Sequence, residues 1–354
     1  MQSRLFYDLV RNTTEATDPY MSTENIAFLK WRGLGPMLCH IADILVFGDV
    51  AADARPVLHG NCTTPIIIQL NNRFTIGVRD VNPYLRLMTD AASRPWVWFV
   101  ASNSFEPYFF KSMEVPLPPE RTIVLRPLGA SFLPKPPPAT ATQAAKVAVL
   151  ELQFRNPEAS LTRQWIVRSR LEERVDFMQG FHLDPHQLAQ YRAVLHVPHQ
   201  PSSIVMYEAM AAGATFILPS VKFLQQLLSS HEETEFIFCC RGAVSRLPDT
   251  WHELFDWWHD DYRDGHVVFD SWEQLEEILR GKGAFTEELF QSKKDTSKKL
   301  MAASRQKTLA GYDALYQKVR KQSCDHNKRP DLWPPKYTAE WAWNFTGNEI
   351  GRKG

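Results

Sequence analysis

Short apolar runs rich in Val, Ile and Phe recur along this chain, separated by segments with helical spacing, and they limit its fold more than any other feature. They fall at residues 25–31, 44–50, 65–70, 96–101 and 122–127, and again at 147–152, 175–180, 193–197, 215–218, 235–240 and 266–269. A short continuous apolar run is what a strand buried on both faces presents, whereas a strand with one wet face alternates. Strands that alternate with helices are joined by right-handed crossovers and lie parallel. The expected class is therefore α/β: two Rossmann-like parallel-sheet domains facing a cleft, followed by C-terminal helices and an aromatic tail.

Proline chemistry suggests where the domains divide. Residues 132–145 read FLPKPPPATATQAA. Clustered prolines hold an extended, semi-rigid chain and cannot lie inside a helix or central strand. This segment is expected to link the domains, with the cleft closing about residues 134–138. The organisation that follows is a first domain at 1–131, the linker at 132–145, a second domain at 146–283, and helices with a tail packing back on the body at 284–354. A chain of 354 residues is long enough for each domain to bury its own core. Helix signals agree: Asp184 stands before Pro185, Ser202 and Ser203 precede 204–212 with Gly213 after them, and Ser271 opens a segment that ends at Gly281. From 286 to 321, apolar residues at Leu289, Phe290, Leu300, Met301, Leu309, Tyr312, Leu315, Tyr316 and Val319 predict one or two amphipathic helices.

Forty Lys and Arg balance 40 Asp and Glu. Zero net charge argues against a nucleic-acid binder, whose affinity rests on a surplus of cations facing phosphates. It leaves room for a local pocket holding one small phosphate-bearing ligand. Five cysteines make neither a disulfide framework nor a zinc site, and buried free thiols are the expectation. No stretch approaches the roughly 20 apolar residues that span a bilayer, and the N-terminal residues carry no apolar signal region. Sequons at Asn12, Asn61 and Asn344 suit a lumenal chain. A cytoplasmic protein and a soluble part of a secretory-pathway membrane enzyme both fit, and the sequence does not indicate an oligomeric state. Residues 251–266 gather His252, Asp256, His259, Asp260 and Asp261, but Trp257 and Trp258 interrupt them. A helix leaning its aromatics on the sheet is expected there, and no metal. The lysine-rich run at 293–299 is expected to be a solvated helix face.

The segment that carries chemistry runs from 191 to 220, YRAVLHVPHQPSSIVMYEAMAAGATFILPS. It reads as strand, tight turn, helix, small-residue turn, strand. In an open parallel sheet, ligands sit beyond the carboxyl ends of the strands, where the next helix offers free N–H groups. The turn at 198–203 and the hydroxyls of Ser202 and Ser203 are placed to hold a diphosphate without net positive charge. About one and a half helical turns further on, Glu208 is the lone carboxylate of an apolar, small-residue helix. A ribose diol bonded to both of its oxygens would satisfy it.

From Glu208 the sequence EAMAAGA, followed by a strand and Pro219-Ser220, resembles the C-terminal donor-binding domain of GT-B glycosyltransferases, and within them the retaining family 4 type. The resemblance is specific over about 175–228. It implies that Glu208 holds the nucleotide ribose, as the second Glu of the family's Glu, seven residues, Glu pattern. The first position falls on Gln200, which would bond a donor-sugar hydroxyl. By the same resemblance Phe181 or His182 would face the nucleobase. Arg155 would serve the phosphates in place of the family's Gly-Arg…Lys clamp, whose glycine and lysine are missing from 152–163. The donor implied is a UDP- or GDP-sugar, with no metal.

In the first domain, Gly33 and Gly35 of the stretch WRGLGP would let backbone approach a ligand. If the reaction inverts the anomeric carbon, a general base is needed, and Asp49, Glu106 and Asp80 are candidates. If it retains, Arg73 or Arg155 would neutralise the departing diphosphate. Both outcomes stay open. The chain is read as a glycosyltransferase moving a sugar to a glycan, glycoconjugate or other hydroxyl acceptor. The alternatives are a nucleotide-sugar epimerase or hydrolase on the same architecture, or a non-catalytic carbohydrate- or protein-binding module with a degenerate donor site. No Gly-x-Gly-x-x-Gly follows any predicted strand, which argues against a dehydrogenase.

Overall fold

The computed structural model of the chain describes residues 35, 38–39, 42–48, 50–60, 62–76, 78–129, 138–151, 160–179, 184–198, 200–230 and 251–322. The chain divides into two compact units: the first comprises Met1–Ser102, Glu106–Val124 and Asp313–Gly354, the second Asn103–Phe105 and Leu125–Tyr312.

Each unit holds one parallel sheet. In the first, β1 (Leu45–Phe47), β2 (Ile66–Leu70), β3 (Val97–Ala101) and β4 (Thr122–Val124) lie in that order. Helices α1 (Arg55–Leu58), α2 (Val81–Ser93) and α3 (Phe105–Ser112) occupy the connections. The first helix lying wholly in the second unit is the short α4 (Ala141–Ala144), at the end of the expected linker. Its strands are β5 (Val147–Glu151), β6 (Val175–Gln179), β7 (Ala193–Leu195), β8 (Phe216–Pro219) and β9 (Val267–Phe269). They are ordered β6-β5-β7-β8-β9, all parallel. Its helices are α5 (Leu161–Arg168), α6 (Pro185–Leu188), α7 (Ile204–Ala212), α8 (Val221–Ser230) and α9 (Trp272–Arg280), followed by the 35-residue α10 (Glu287–Lys321), of which the residues from Asp313 on belong to the first unit.

Every apolar run that falls on described residues is a strand; 25–31 and 235–240 lie outside them. The reason shows in the burial. Every residue of β3, β7 and β8 is buried, as strands covered on both faces must be. At the edges, β1 and β9 alternate, leaving Val46 and Val268 exposed. Helix α2 buries Tyr84, Leu87, Met88, Ala91 and Ala92, the three-and-four spacing of a single apolar stripe. Helix α9 is capped by Ser271, whose side chain accepts from the Gln274 N–H, and ends at Gly281 with φ 65°.

Helix α10 is one continuous helix. Its buried stripe includes Phe290, Met301, Leu315 and Val319, but also Ser297 and Thr308, while Leu309 and Tyr316 face solvent. The two polar residues are buried because they have acceptors: Ser297 donates to the Gly265 carbonyl and Thr308 to the Arg126 carbonyl. The lysine run is only partly a solvated face. Lys293 donates to the Asp264 carbonyl, and Lys294 to the carbonyls of Ala189 and Tyr191 just past α6.

Two expectations are overturned. Residues 251–266 are not a helix but short 3-10 turns, Trp251–Leu254 and Arg263–Gly265, whose Trp257 and Tyr262 are buried. Glycine at 265 fits tightly, since a Cβ there would lie 2.7 Å from the Ser297 hydroxyl. The cysteines are not all free thiols: Cys39 and Cys62 form a disulfide across 23 residues in the first unit. Cys239, Cys240 and Cys324 lie outside the described residues. No helix of the described residues is long and apolar enough to cross a membrane.

Two stability measurements follow. Closing a loop of this size removes denatured-state entropy worth about 3 kcal/mol, so Cys39→Ser lowers the urea-derived stability by about that amount. His266 is 2 % exposed, its ring nitrogens meet no hydrogen-bond partner among the described residues, and burial, aided by Lys293, lowers its pKa from 6.5 to about 3. Between those pH values the unfolded chain binds a proton that the folded chain refuses, so this site's contribution to stability falls on acidification from pH 6.5 toward 3. Denaturation at pH 7, 6, 5 and 4 is expected to show a steeper loss for the wild type than for His266→Leu, with the difference approaching about 1.4 kcal/mol per pH unit.

Candidate functional site

In the second sheet the chain passes from β5 outward to β6, then crosses back beyond β5 to reach β7. Strand order reverses between β5 and β7, and an open parallel sheet takes its ligands in the crevice beyond the carboxyl ends at such a reversal. Topology alone therefore puts the loop after β7 and the start of α7 at the ligand-binding end of the sheet. Among the described residues, the first sheet has no such reversal, since its strands lie in chain order.

Helix α7 begins after Ser203, whose backbone is extended at φ −143° and ψ 138° and whose side chain forms no capping bond. No acceptor among the described residues meets the N–H groups of Ile204 and Val205. With the helix dipole these groups form a partly positive end suited to an anion. The Ser202 hydroxyl accepts from the Asn103 amide at 2.8 Å, and the Asn103 carbonyl oxygen accepts from the Phe105 N–H at 3.0 Å. Having accepted, the Ser202 hydroxyl keeps its own proton to donate. The far end of α7 closes on Gly213 at φ 101°, where a Cβ would stand 2.2 Å from the Lys298 side chain.

The helix buries Met206, Tyr207, Ala209 and Met210. Glu208 is half-buried and forms no hydrogen bond or ion pair with any described residue. Partial burial raises its pKa above the ordinary 4.5. It stands four residues beyond Ile204, about 6 Å along the axis, so one ligand can reach both the N–H groups and the carboxylate.

The loop itself is braced from behind. Asp256 donates its N–H to the Pro201 carbonyl at 3.0 Å, and the Trp257 indole donates to the Gln200 carbonyl at 2.9 Å. The Asp256 carboxylate, fully buried, accepts from the Tyr207 hydroxyl and, at 3.0 Å, from Arg126 Nε. Burial pushes the Asp256 pKa up, opposed chiefly by Arg126. Arg126 also donates to Asp261 at 3.1 Å and lies over the Tyr262 ring. Asp256 and Asp261 are thus engaged by Arg126, His259 accepts from the Asp261 N–H, and Asp260 pairs with Arg263, while among the described residues no group of three His, Cys, Asp or Glu is placed to hold a metal ion.

The first unit brings together two residues put forward separately. Arg73, after β2, and Glu106, in the first turn of α3, form an ion pair at 3.0 Å, with Glu106 fully buried. Burial raises the Glu106 pKa against the opposing pull of Arg73. Asp80 is committed elsewhere: both of its oxygens accept from Arg55, which lies over the Tyr84 ring. Gly35 is buried, and a Cβ there would lie 2.3 Å from the Pro56 carbonyl oxygen, so packing alone accounts for that glycine. Gly33, Asp49, Arg155, Phe181 and His182 lie outside the described residues. Of the donor-side candidates, Gln200, Ser202, Ser203 and Glu208 share one loop and helix.

Sequence reasoning missed Arg126, Tyr207 and Asn103, and weighed Asp256 only as a metal ligand. A signal was present: Arg126 and Tyr207 each interrupt an apolar stretch, TIVLRPLG and IVMYEAMAA, where a polar group needs a partner.

No protein-family model matches the sequence, and no curated protein matches it. Solved structures similar to the chain include TarM, at 10 % identity and a TM-score of 0.48, covering 82 % of this chain and 58 % of TarM, so the chain spans little more than half of that protein's length. HepE of Anabaena, solved in complex with UDP-glucose, matches at 12 % identity and 0.44 over 82 % of each chain. The glycotransferase of kitacinnamycin matches at 10 % identity and 0.43, covering 87 % of this chain and 85 % of that one. Overlaps of this size are likenesses of arrangement and assign neither substrate nor reaction.

Removing one partner of a buried ion pair leaves the other charge uncompensated. Glu106→Ala is therefore expected to lower stability by about 3 kcal/mol, and the double variant Arg73→Met/Glu106→Leu to recover much of that loss, both measured by urea denaturation.

Proposed function

We propose that this chain is a glycosyltransferase that takes a sugar from a nucleoside diphosphate sugar, UDP- or GDP-linked, and passes it to a hydroxyl of a glycan or glycoconjugate. The observation that carries the reading is Glu208: a half-buried carboxylate with no partner among the described residues, on the helix that starts at the strand reversal. The ribose hydroxyls supply the two donors that Glu208 lacks. The diphosphate lies at the N–H groups of Ile204 and Val205 and the hydroxyls of Ser202 and Ser203, a site that needs no metal and no basic surface. Gln200 reaches the sugar, and Arg155 with Phe181 or His182 completes the donor side.

In the transfer, the bond from the anomeric carbon to the diphosphate oxygen breaks and a bond from that carbon to the acceptor oxygen forms. The acceptor's proton must leave. Asp49 is the proposed base; Glu106 and Arg73, paired with each other inside the first unit, are assigned no part in the step. A retaining outcome rests on the resemblance to family 4. The Cys39–Cys62 disulfide supports an oxidising compartment, since such bonds persist in the secretory pathway and are rare in the cytosol.

Titration calorimetry with UDP, GDP and ADP tests the reading, with UDP first because of the HepE complex. One nucleotide is expected to bind, and Glu208→Ala to weaken it by about 10- to 100-fold, equivalent to about 1.4–2.8 kcal/mol. Because the raised pKa protonates Glu208 early, affinity is expected to fall on acidification beginning above pH 4.5, and this limb to vanish in Glu208→Ala. Unchanged affinity in that variant sinks the assignment.

A further inference from the structure

Glu208 and the α7 N-terminus act on one ligand only if loop and helix keep a fixed register, and what fixes it lies outside both. Residues 200–203 form no part of a strand or helix. Two carbonyls of this loop are nonetheless held from the 251–258 segment: Pro201 by the Asp256 N–H and Gln200 by the Trp257 indole. The same Asp256 reaches α7 through its carboxylate, which accepts from the Tyr207 hydroxyl, the residue next to Glu208. One residue thus holds the loop by its main chain and the helix by its side chain. Arg126 supplies the opposite charge. The Trp257 ring fills the space beneath, 4.7 Å from the His196 ring at the end of β7 and 5.5 Å from Phe216 on β8.

We propose that Asp256, with Trp257, is a positioning residue for the donor site: it locks the 200–203 loop to helix α7, so that the Ser202 and Ser203 hydroxyls, the Ile204 and Val205 N–H groups and the Glu208 carboxylate face one nucleoside diphosphate together. The proposal rests on the donor-site reading above. Neither residue touches the ligand. Loss of the brace therefore acts through loop order and donor affinity. A carboxylate present only for packing would change global stability and leave those two quantities alone.

Two variants test it on the intact chain. Asp256→Asn removes the charge that holds both Tyr207 and Arg126. Trp257→Phe keeps a ring against His196 and Phe216 and removes only the indole donor, so it is expected to fold. Amide hydrogen exchange is read at Met206, whose N–H is bonded to the Ser203 carbonyl, at Asp256 in Trp257→Phe, and at the Trp257 indole in Asp256→Asn. Exchange at these groups is expected to rise about tenfold or more, and the dissociation constant of UDP, or of whichever nucleoside diphosphate the wild type binds, to rise about tenfold in Asp256→Asn and about threefold in Trp257→Phe. Cys39→Ser, in the first unit, serves as the control: it lowers global stability and leaves the exchange at Met206 and the affinity unchanged.

Exchange within twofold of the wild type in both folded variants overturns the proposal. So does raised exchange with unaltered nucleotide affinity, because the brace then positions nothing. If the wild type binds no nucleoside diphosphate, the donor-site reading fails first and the positioning role falls with it; raised exchange in that case leaves a structural brace. The two failures are thereby told apart.

Discussion

A fully buried carboxylate must be met by donors or give up its charge. At Asp256 the donors come from residues far away in sequence: Arg126 is 130 positions earlier and Tyr207 is 49 earlier. Satisfying one carboxylate therefore fixes where the segment after β4, helix α7 and the 3-10 segment lie relative to one another inside the second unit. The remaining contacts build on that arrangement. Thr308 and Arg305 on α10 donate to the carbonyls of Arg126, Leu128 and Gly129. Gly129, at φ 60°, passes so close to α7 that a Cβ would meet the Tyr207 carbonyl at 2.7 Å. The long helix is thus held to the segment leading to the prolines by hydrogen bonds to main chain, with Met301 against Gly129 and Leu125 against Gly311, and that segment passes α7 closely at Gly129.

This division of labour decides what the sequence discloses. Hydrophobic burial is a local, additive property of a strand, so β2, β3, β7 and β8 announce themselves as apolar runs, and caps such as Asp184 and Ser271 do so through a single side chain. The loop-and-helix candidate site is legible for the same reason: turn, helix and Glu208 are contiguous. The brace behind it is not. Its members are single polar residues tens of positions apart, and nothing in the spacing of Arg126, Tyr207 and Asp256 marks them as partners. The disulfide is hidden in the same way, because two cysteines 23 residues apart among five carry no pairing signal until the chain is folded. In α10, Ser297 and Thr308 look like solvent positions until their carbonyl acceptors are known.

The treatment of carboxylates separates structural positions from the candidate site. Asp80 is held by Arg55, Glu106 by Arg73, Asp256 by Arg126 and Asp176 by Lys146. Each answers the cost of burial with a cation contributed by the fold. Glu208 sits on the most apolar of the short helices and bears a desolvation cost, visible in its raised pKa, with no cation and no donor among the described residues to answer it. Natural sequences agree with their folds at most levels and depart from that agreement mainly where function requires it. A fold that pairs the other buried and half-buried acids named here, and leaves this one without a partner among the described residues beside a helix N-terminus at a strand reversal, has the arrangement that the proposed donor requires, with hydroxyl donors at one end and negative charge at the other.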